Sequence, residues 1–533
     1  MQTEDAGFLQ ENLAALATSD PELATRIGES APNPSLMFRQ AKTGAVVPVL
    51  RTGGVPFHSL VDPTKEAERV VQSLAGNDYL VCLGLGGGYL AHAFLARLDA
   101  SGVLIVEKDV STLRALLGNI PLSGLLSETR ARVTVGAEQI RAIIRSSYLP
   151  AICGNLVSLP TRPWCNAEKE FFDRAARELR EAAEEARADY AVQARFGKRW
   201  FTNTILNLPA AELAPGPRMP GSLAHITAAG PSLEASLFEI AQRDNASIVI
   251  ATDTSLPALL RNGVRPEAVV SLDCQLASYH HFMAGISQGA SVYYDLASPP
   301  FLVRRTGPQS RFFTSTHPLS RFISARWRRF PIVDSTGGNV TYAAVSLASA
   351  LGVQTVKIHG ADFGYPDGKP YARGTYLYDY FQSRQQRCVP VESSLSSFVL
   401  SSPGLGKERH GDRVFYSTPV LRDYKARMDG LLAAIASNPA VTVFEPAPAQ
   451  CTWREFLRGY AEALRHLPSP SPPLGSYFAS LPQEQKELWF TVLPIAATVL
   501  RETHESRPVC LEHAREWAVD RITRTLSRDS HEP

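Results

Sequence analysis

Between residues 220 and 365 the chain repeats one pattern six times. A short, almost continuously apolar run stops at a glycine or polar turn and gives way to a helical stretch. The runs begin at Leu223, Ser247, Ala268, Ser291, Arg311 and Gln354. Apolar runs of this length are strands buried on both faces, and strands separated by helical crossovers pair in parallel. The pattern therefore predicts an α/β domain with an open parallel sheet covered by helices. Such sheets take their ligands beyond the carboxyl ends of the strands. The middle third of the chain, residues 220–380, is the expected location of an active site.

A second, smaller instance lies upstream. Tyr79-Leu-Val-Cys-Leu-Gly84-Leu-Gly86-Gly87-Gly88 is a strand running into a glycine turn, and Tyr89 to Arg97 continue as a helix. Val103-Leu-Ile-Val-Glu107 is the next strand, with an acid at its end. Strand, glycine turn, helix, strand and acid form a Rossmann-like unit. There the glycines let backbone amides approach a ligand and the acid can hold a ribose diol. The full GxGxxG spacing is absent, so a turn needed only for close strand-to-helix packing remains open. Upstream of it, Val46 to Leu50 reads as a strand, and Asp62 caps a helix that starts at Pro63.

A chain of 533 residues exceeds one hydrophobic core. The expected organisation is a Rossmann-like domain over 1–165, with its folded part starting near residue 35, and a linker helix within 166–215. A central catalytic domain follows over 216–450, then a helical C-terminal region over 451–533. The linker, Ala167 to Lys198 and its continuation to Leu208, carries opposite charges three and four residues apart and should end before the Pro209–Gly221 stretch. A formal charge of +2 gives no reason to expect a nucleic-acid partner. Seven scattered cysteines without a CxxC suit a reducing compartment better than a disulfide framework or a zinc site. The acidic start, MQTEDAGF, is unlike a secretory signal, and eighteen apolar residues never run together. The expected location is the cytoplasm, with no membrane span.

The predicted strand ends nominate the site. They carry Gly230-Pro231-Ser232, Asp253-Thr254, Asp273 with Gln275, Ser315 to His317, and Gly360 to Asp362. An acid after one strand often only caps a helix; several strands ending this way at one edge make an inert edge less credible. Gly230 permits close backbone approach, and Ser232 starts a helix whose amides favour an anion. Asp253 and Asp273 can accept ribose or base hydrogen bonds. Ser335-Thr336-Gly337-Gly338-Asn339 offers hydroxyls and amides at a second helix start, without the lysine of a P-loop. Neither HExxH nor HxxxH occurs. His317, at a strand end, and His410, in a polar loop, are candidate bases, whereas His225 and His359 read as core residues.

Taken in order, Ile226 to Leu233, Ile250 to Leu260, Val264 to Asp273, Gly337 to Ala348 and Ile358 to Phe363 resemble the motility-associated factor (Maf) glycosyltransferases. That family shares its central domain with the 6-hydroxymethylpterin pyrophosphokinase MptE. The resemblance extends over Trp200 to Leu208 and the N-terminal glycine turn, about residues 35 to 450. It implies a sialyltransferase-like central domain that moves a pseudaminic- or legionaminic-type nonulosonic acid from its CMP conjugate to Ser or Thr of flagellin, by inversion and without a cofactor. It places donor binding at the segment like Ser335 to Gly338, and catalytic Asp362 and Tyr365 in Asp362-Phe-Gly-Tyr365, one residue longer than the family's Asp-Phe-Tyr. The position of the histidine that serves as base in the similar sialyltransferases falls near Tyr416 to Thr418, with His410 close but out of register. Tyr376, Tyr378 and Arg373 are candidate phosphate or carboxylate partners. The same resemblance leaves open an MptE-like kinase with Mg²⁺ and ATP, its metal on Asp253, Asp273 and Asp362. A binding or assembly protein with a disabled site is the third possibility.

Overall fold

The computed structural model describes residues 6–75, 78–219, 221–437 and 443–528. The chain divides into two compact units. The first comprises residues 1–197 with 467–489 and 493–516; the second comprises 198–466, 490–492 and the chain from 517 onward. Residues of the helical C-terminal region fall in both units.

In the first unit, β1 (Leu36–Gln40) and β2 (Val46–Leu50) form an antiparallel pair. A separate four-stranded parallel sheet has the order β5-β4-β3-β6, from β3 (Tyr79–Leu83), β4 (Gly102–Glu107), β5 (Ala131–Val135) and β6 (Leu156–Pro160). Every residue of β3 and β4 is buried, as their unbroken apolar runs require. Two helices at the start, α1 (Ala6–Ala17) and α2 (Pro21–Glu29), belong to this unit, so it begins well before residue 35. Asn12 fixes α1 in place. Its buried amide donates to the carbonyls of Leu117 and Ile120 and accepts from the Leu122 amide, each at 2.8 Å. Asp62 caps α3 (Pro63–Gln72) as expected, accepting from the Lys65 amide at 2.9 Å. The unit's other short helices are α4 (Tyr89–Leu95), α5 (Val110–Leu117), α6 (Ser123–Leu126), α7 (Ile140–Ser147) and α8 (Arg162–Ala167).

The predicted linker is one 45-residue helix, α9 (Lys169–Leu213), and it runs through Pro209. Proline costs a helix the bond to the carbonyl four residues back. The helix persists because Phe201, Ile205, Leu208 and Ala211 are all fully buried on one face.

In the second unit, six parallel strands lie in the order β11-β10-β9-β8-β7-β12. They are β7 (Leu223–Thr227), β8 (Ser247–Thr252), β9 (Ala268–Ser271), β10 (Ser291–Asp295), β11 (Ser310–Phe313) and β12 (Thr355–His359). Each matches a predicted run. The crossovers are α10 (Leu233–Ala241), α11 (Leu256–Arg261), a 3-10 helix (Leu276–Phe282), α12 (Pro300–Thr306), α13 (Pro318–Arg326) and α14 (Val340–Ala350). The chain steps outward from β7 to β11, then returns through α14 to place β12 on the other side of β7. Right-handed crossovers running in opposite directions put α10 and α14 on opposite faces. On the α14 face, Ala343, Ala344, Val345, Leu347 and Ala348 pack with Ile226, Ile250 and Val270.

Beyond β12 come α15 (Tyr376–Gln382) and α16 (Val391–Leu400), then the hairpin strands β14 (Gly406–His410) and β15 (Arg413–Ser417), and finally α17 (Pro419–Ser437). With β13 (Tyr365–Pro366) the hairpin makes a three-stranded antiparallel sheet, which the sequence does not announce. Four helices follow as predicted: α18 (Trp453–Arg465), opened by a Thr452/Glu455 capping box, α19 (Leu474–Ser480), α20 (Gln483–Thr503) and α21 (Arg507–Arg528). Among the described residues no helix is long and apolar enough to cross a membrane.

Candidate functional site at the carboxyl edge of the central sheet

The strand order reverses at β7, so the turns after β7 and β12 open a crevice at this point. These turns are stitched together. The Gly230 amide donates to the Gly360 carbonyl and the Ala228 amide to the His359 carbonyl, both at 2.8 Å. Gly360 has φ +73°, and a side chain on it would collide with the Ala228 carbonyl and Leu233. Gly230 likewise has no room for a Cβ beside Asp362 and the Gly360 carbonyl. Both glycines are thus explained by close backbone approach. Asp362 accepts from the Ser232 amide at 2.9 Å, so the first turn of α10 already holds a protein carboxylate. Pro231 and Ser232 lie at the open side of this turn.

Further along the edge, Asp253 is buried and internally satisfied. It accepts from the Thr254 amide at 2.7 Å, the Thr254 hydroxyl at 3.1 Å and the Ser271 hydroxyl at 2.7 Å. Its role is to tie the end of β8 to β9. Asp273 is half-buried and, among the described residues, accepts from its near neighbour Gln275, at 2.9 Å from the amide and 3.3 Å from the side chain.

At β10 the sequence understated a carboxylate. Asp295 is 2% exposed and accepts from the amides of Ala297 and Ser315, at 2.7 and 2.8 Å. Burial pushes its carboxyl above the usual range. The neighbouring Thr316 hydroxyl lies 3.3 Å from that of Ser335, which leads into the second group of predicted residues. There Asp334 accepts from the Thr336 amide at 2.8 Å and the Tyr342 hydroxyl at 2.9 Å. Asn339 caps α14, accepting from the Tyr342 amide at 2.9 Å and donating to the Gly337 carbonyl at 3.0 Å. Gly338 takes φ +74°.

Gly230, Pro231, Ser232, Gly360 and Asp362 therefore form one group. Ser335, Thr336, Gly337, Gly338 and Asn339 form another, on the opposite face but at the same edge. Asp253, Thr254, Asp273 and Gln275 lie between. Six strands at about 4.8 Å spacing make this edge roughly 24 Å wide. Arg373 is exposed beside the crevice; its amide donates to Glu234 on α10 at 2.9 Å, and its side chain reaches Tyr378. Tyr376 stacks on His280 with ring centres 4.4 Å apart. Tyr365 pairs with Tyr416 across β13 and β15, which brings Asp362-Phe-Gly-Tyr365 beside Tyr416 to Thr418. His410 is three residues from Lys407, the partner of Tyr416, on the strand not adjacent to β13; its side chain lies outside the described residues.

Two asparagines escaped the sequence reading. Asn203 and Asn207 on α9 hold the turns after β9 and β10: Asn203 donates to the carbonyls of Cys274 and Ala297, and Asn207 to those of Leu296 and Ser298, at 2.8–3.1 Å. Their spacing of four puts both on one helix face, a signal that was present in Trp200 to Leu208. His317, a candidate base in the sequence, is nine-tenths buried, has no hydrogen-bond partner at either ring nitrogen among the described residues and packs edge-on to Trp200; burial holds its pKa down to about 3.

Residues 203–368 match the family model of the 6-hydroxymethylpterin diphosphokinase MptE-like proteins. The whole chain superposes on a solved structure, the MAf glycosyltransferase from Magnetospirillum magneticum AMB-1. The match covers 98% of this chain and 95% of that one, with TM-score 0.57 and 14% identity. The chain has the Maf glycosyltransferase fold. Its first curated relatives are two uncharacterized proteins of Treponema pallidum (strain Nichols). One is 32% identical over 152 residues, 28% of this chain and 54% of that protein; the other is 34% identical over 144 residues, 26% and 66%. The chain thus spans between half and two thirds of the length of these relatives. Within the Maf fold, the MptE-like match over residues 203–368 takes in all six strands of the central sheet and the turns at their carboxyl ends.

Proposed function

We propose that the chain is a glycosyltransferase whose donor binds along the carboxyl edge of the central sheet. The observation that carries this reading is the coincidence of a Maf fold over the full chain with a switch-point crevice flanked by two helix starts. In its finer form the reaction moves a nonulosonic acid from a CMP conjugate to a Ser or Thr hydroxyl of flagellin, in the cytoplasm. The acceptor oxygen attacks the anomeric carbon as the bond to the CMP phosphate breaks, with inversion. Negative charge grows on the departing phosphate, where the Ser335 and Thr336 hydroxyls and the start of α14 stabilise it. Asp273, with few internal commitments, accepts from the nucleoside. Asp362, Tyr365 and His410 are the candidates for taking the acceptor proton.

The test is incubation with CMP-linked nonulosonic acids and flagellin, read by intact mass of the acceptor and by CMP release. Addition of one sugar with one CMP released is expected; no transfer and no release from any such donor would overturn the reading.

The match to the MptE-like family favours a second reading, a diphosphokinase using ATP and Mg²⁺. The residues fit it poorly. Asp253 has both oxygens engaged by Ser271 and Thr254, and Asp362 is engaged by α10. No three His, Cys, Asp or Glu side chains gather as a metal site among the described residues. Stabilisation by ATP only in the presence of Mg²⁺, with none by CMP, would favour the kinase.

A further inference from the structure

The loop from Asp334 to Asn339 is held from a distance. Its two glycines are the places where aromatic rings press on it. A Cβ on Gly337 would enter the ring of Tyr342, and one on Gly338 would come within 2.5 Å of the ring of Tyr424. Tyr342 belongs to the helix that the loop opens, but Tyr424 belongs to α17, more than eighty residues further along the chain. One turn on from Tyr424, Arg427 donates from its guanidinium to the Thr336 carbonyl and pairs with Asp423 at 2.9 Å. α17 is anchored to do this: Met428 is buried against α14, with Leu431, Leu432 and Ile435 packed on the same cluster.

We propose that α17 is part of the donor site, with Tyr424 and Arg427 as positioning residues that keep the Ser335–Asn339 loop in its ligand-ready shape. A glycine-rich loop has many accessible conformations, and freezing it costs conformational entropy at the moment of binding. Tyr424 fills the space beside Gly338, and Arg427 takes the Thr336 carbonyl, turning that peptide so that its oxygen faces protein. The site then meets the donor already shaped. Arg427 also brings a guanidinium, 38% exposed, to a loop that has no lysine of its own. Lysine at this position keeps the charge but lacks the planar fork that satisfies Thr336 and Asp423 together.

The inference rests on the donor reading, and two measurements separate their fates. In the ligand-free protein, amide hydrogen exchange across residues 334–340 should accelerate about tenfold in Arg427→Gln and in Tyr424→Leu, while exchange in β7 to β9 stays unchanged. CMP affinity should fall about tenfold in Arg427→Gln and recover in part in Arg427→Lys, with the donor KM raised more than kcat is lowered. Unchanged loop exchange in both variants would overturn the inference even if CMP binds the parent protein. Accelerated exchange in the two variants of a parent that binds no CMP would leave the clamp standing and remove the donor reading. Equal CMP affinity in parent and Arg427→Gln would also overturn it.

Discussion

The chain contains the same local sentence twice, a strand, a glycine turn and a helix start, and it uses the two copies differently. In the first unit the turn is filled by protein. The Leu85 amide donates to Glu107 at 3.0 Å and the Gly87 amide to His58 at 2.9 Å. Glu107, at the position where a Rossmann unit would hold a ribose, is fully buried and also accepts from the Trp164 indole at 2.6 Å. Gly86 lies against His58, and Gly84 to Gly88 are all buried. This turn is a packing device. In the second unit, Gly230 and Pro231 are half-buried and Ser232, Thr336 and Gly338 are exposed. Both turns spend amides on protein groups, Gly230 on Gly360 and Ser232 on Asp362 in the second, so what separates them is exposure to solvent.

The sharpest way to break this contrast is at Glu107. Glu107→Leu leaves two buried donors, the Leu85 amide and the Trp164 indole, and the half-buried Lys108 amide without an acceptor, at about 1–3 kcal/mol for each buried one. It should destabilise the first unit by roughly 3–5 kcal/mol in denaturant titration without changing CMP affinity. A loss of nucleotide binding at unchanged stability would make the first turn a ligand site after all.

The next effect is pH-dependent. Burial holds His58 at about 4, below its ordinary 6.5, so the fold favours the neutral ring. Its contribution is complete above about pH 6.5 and is lost as pH falls through 4, a change of up to about 3 kcal/mol. His58→Gln keeps an acceptor for the Gly87 amide but does not titrate. It should flatten the stability profile between pH 6.5 and 4; an unchanged slope would remove His58 from the closed turn.

In the second unit the expected pattern reverses. Asp273→Ala should change unliganded stability by less than about 0.5 kcal/mol, since its bonds among the described residues are local ones to Gln275. It should abolish the rise in Tm that CMP produces, a rise that follows from mass action. An intact CMP response would take Asp273 out of the site. Ser335→Ala is expected to be the mildest, weakening CMP about fivefold, since one hydroxyl bond to a phosphate contributes about 1 kcal/mol net. A change below twofold would place the phosphate elsewhere.

What was legible in the sequence was local. The six central strands, the Asp62 cap, the helix start after Ser335 to Asn339 and the glycine turns each depend on residues a few positions apart, and each lies where its pattern indicates. What was not legible depends on partners far along the chain. Nothing around Gly84 announces that His58 and Trp164 close the turn, and nothing in Ser335 to Asn339 announces Tyr424 and Arg427. The sheet of β13 to β15 went unseen because its strands are short and half-exposed, with no apolar run. Pro209 misled because a proline near a helix end reads as a stop, whereas buried side chains on either side carry α9 through it.

The most direct measurement is photoaffinity labelling with a photoreactive CMP analogue, followed by peptide mapping of the labelled residues. Labels are expected within 228–234, 253–255, 273–275 or 334–342, and they should disappear when unmodified CMP competes. Competable labelling confined to 84–92, or none at the central edge, would contradict the account.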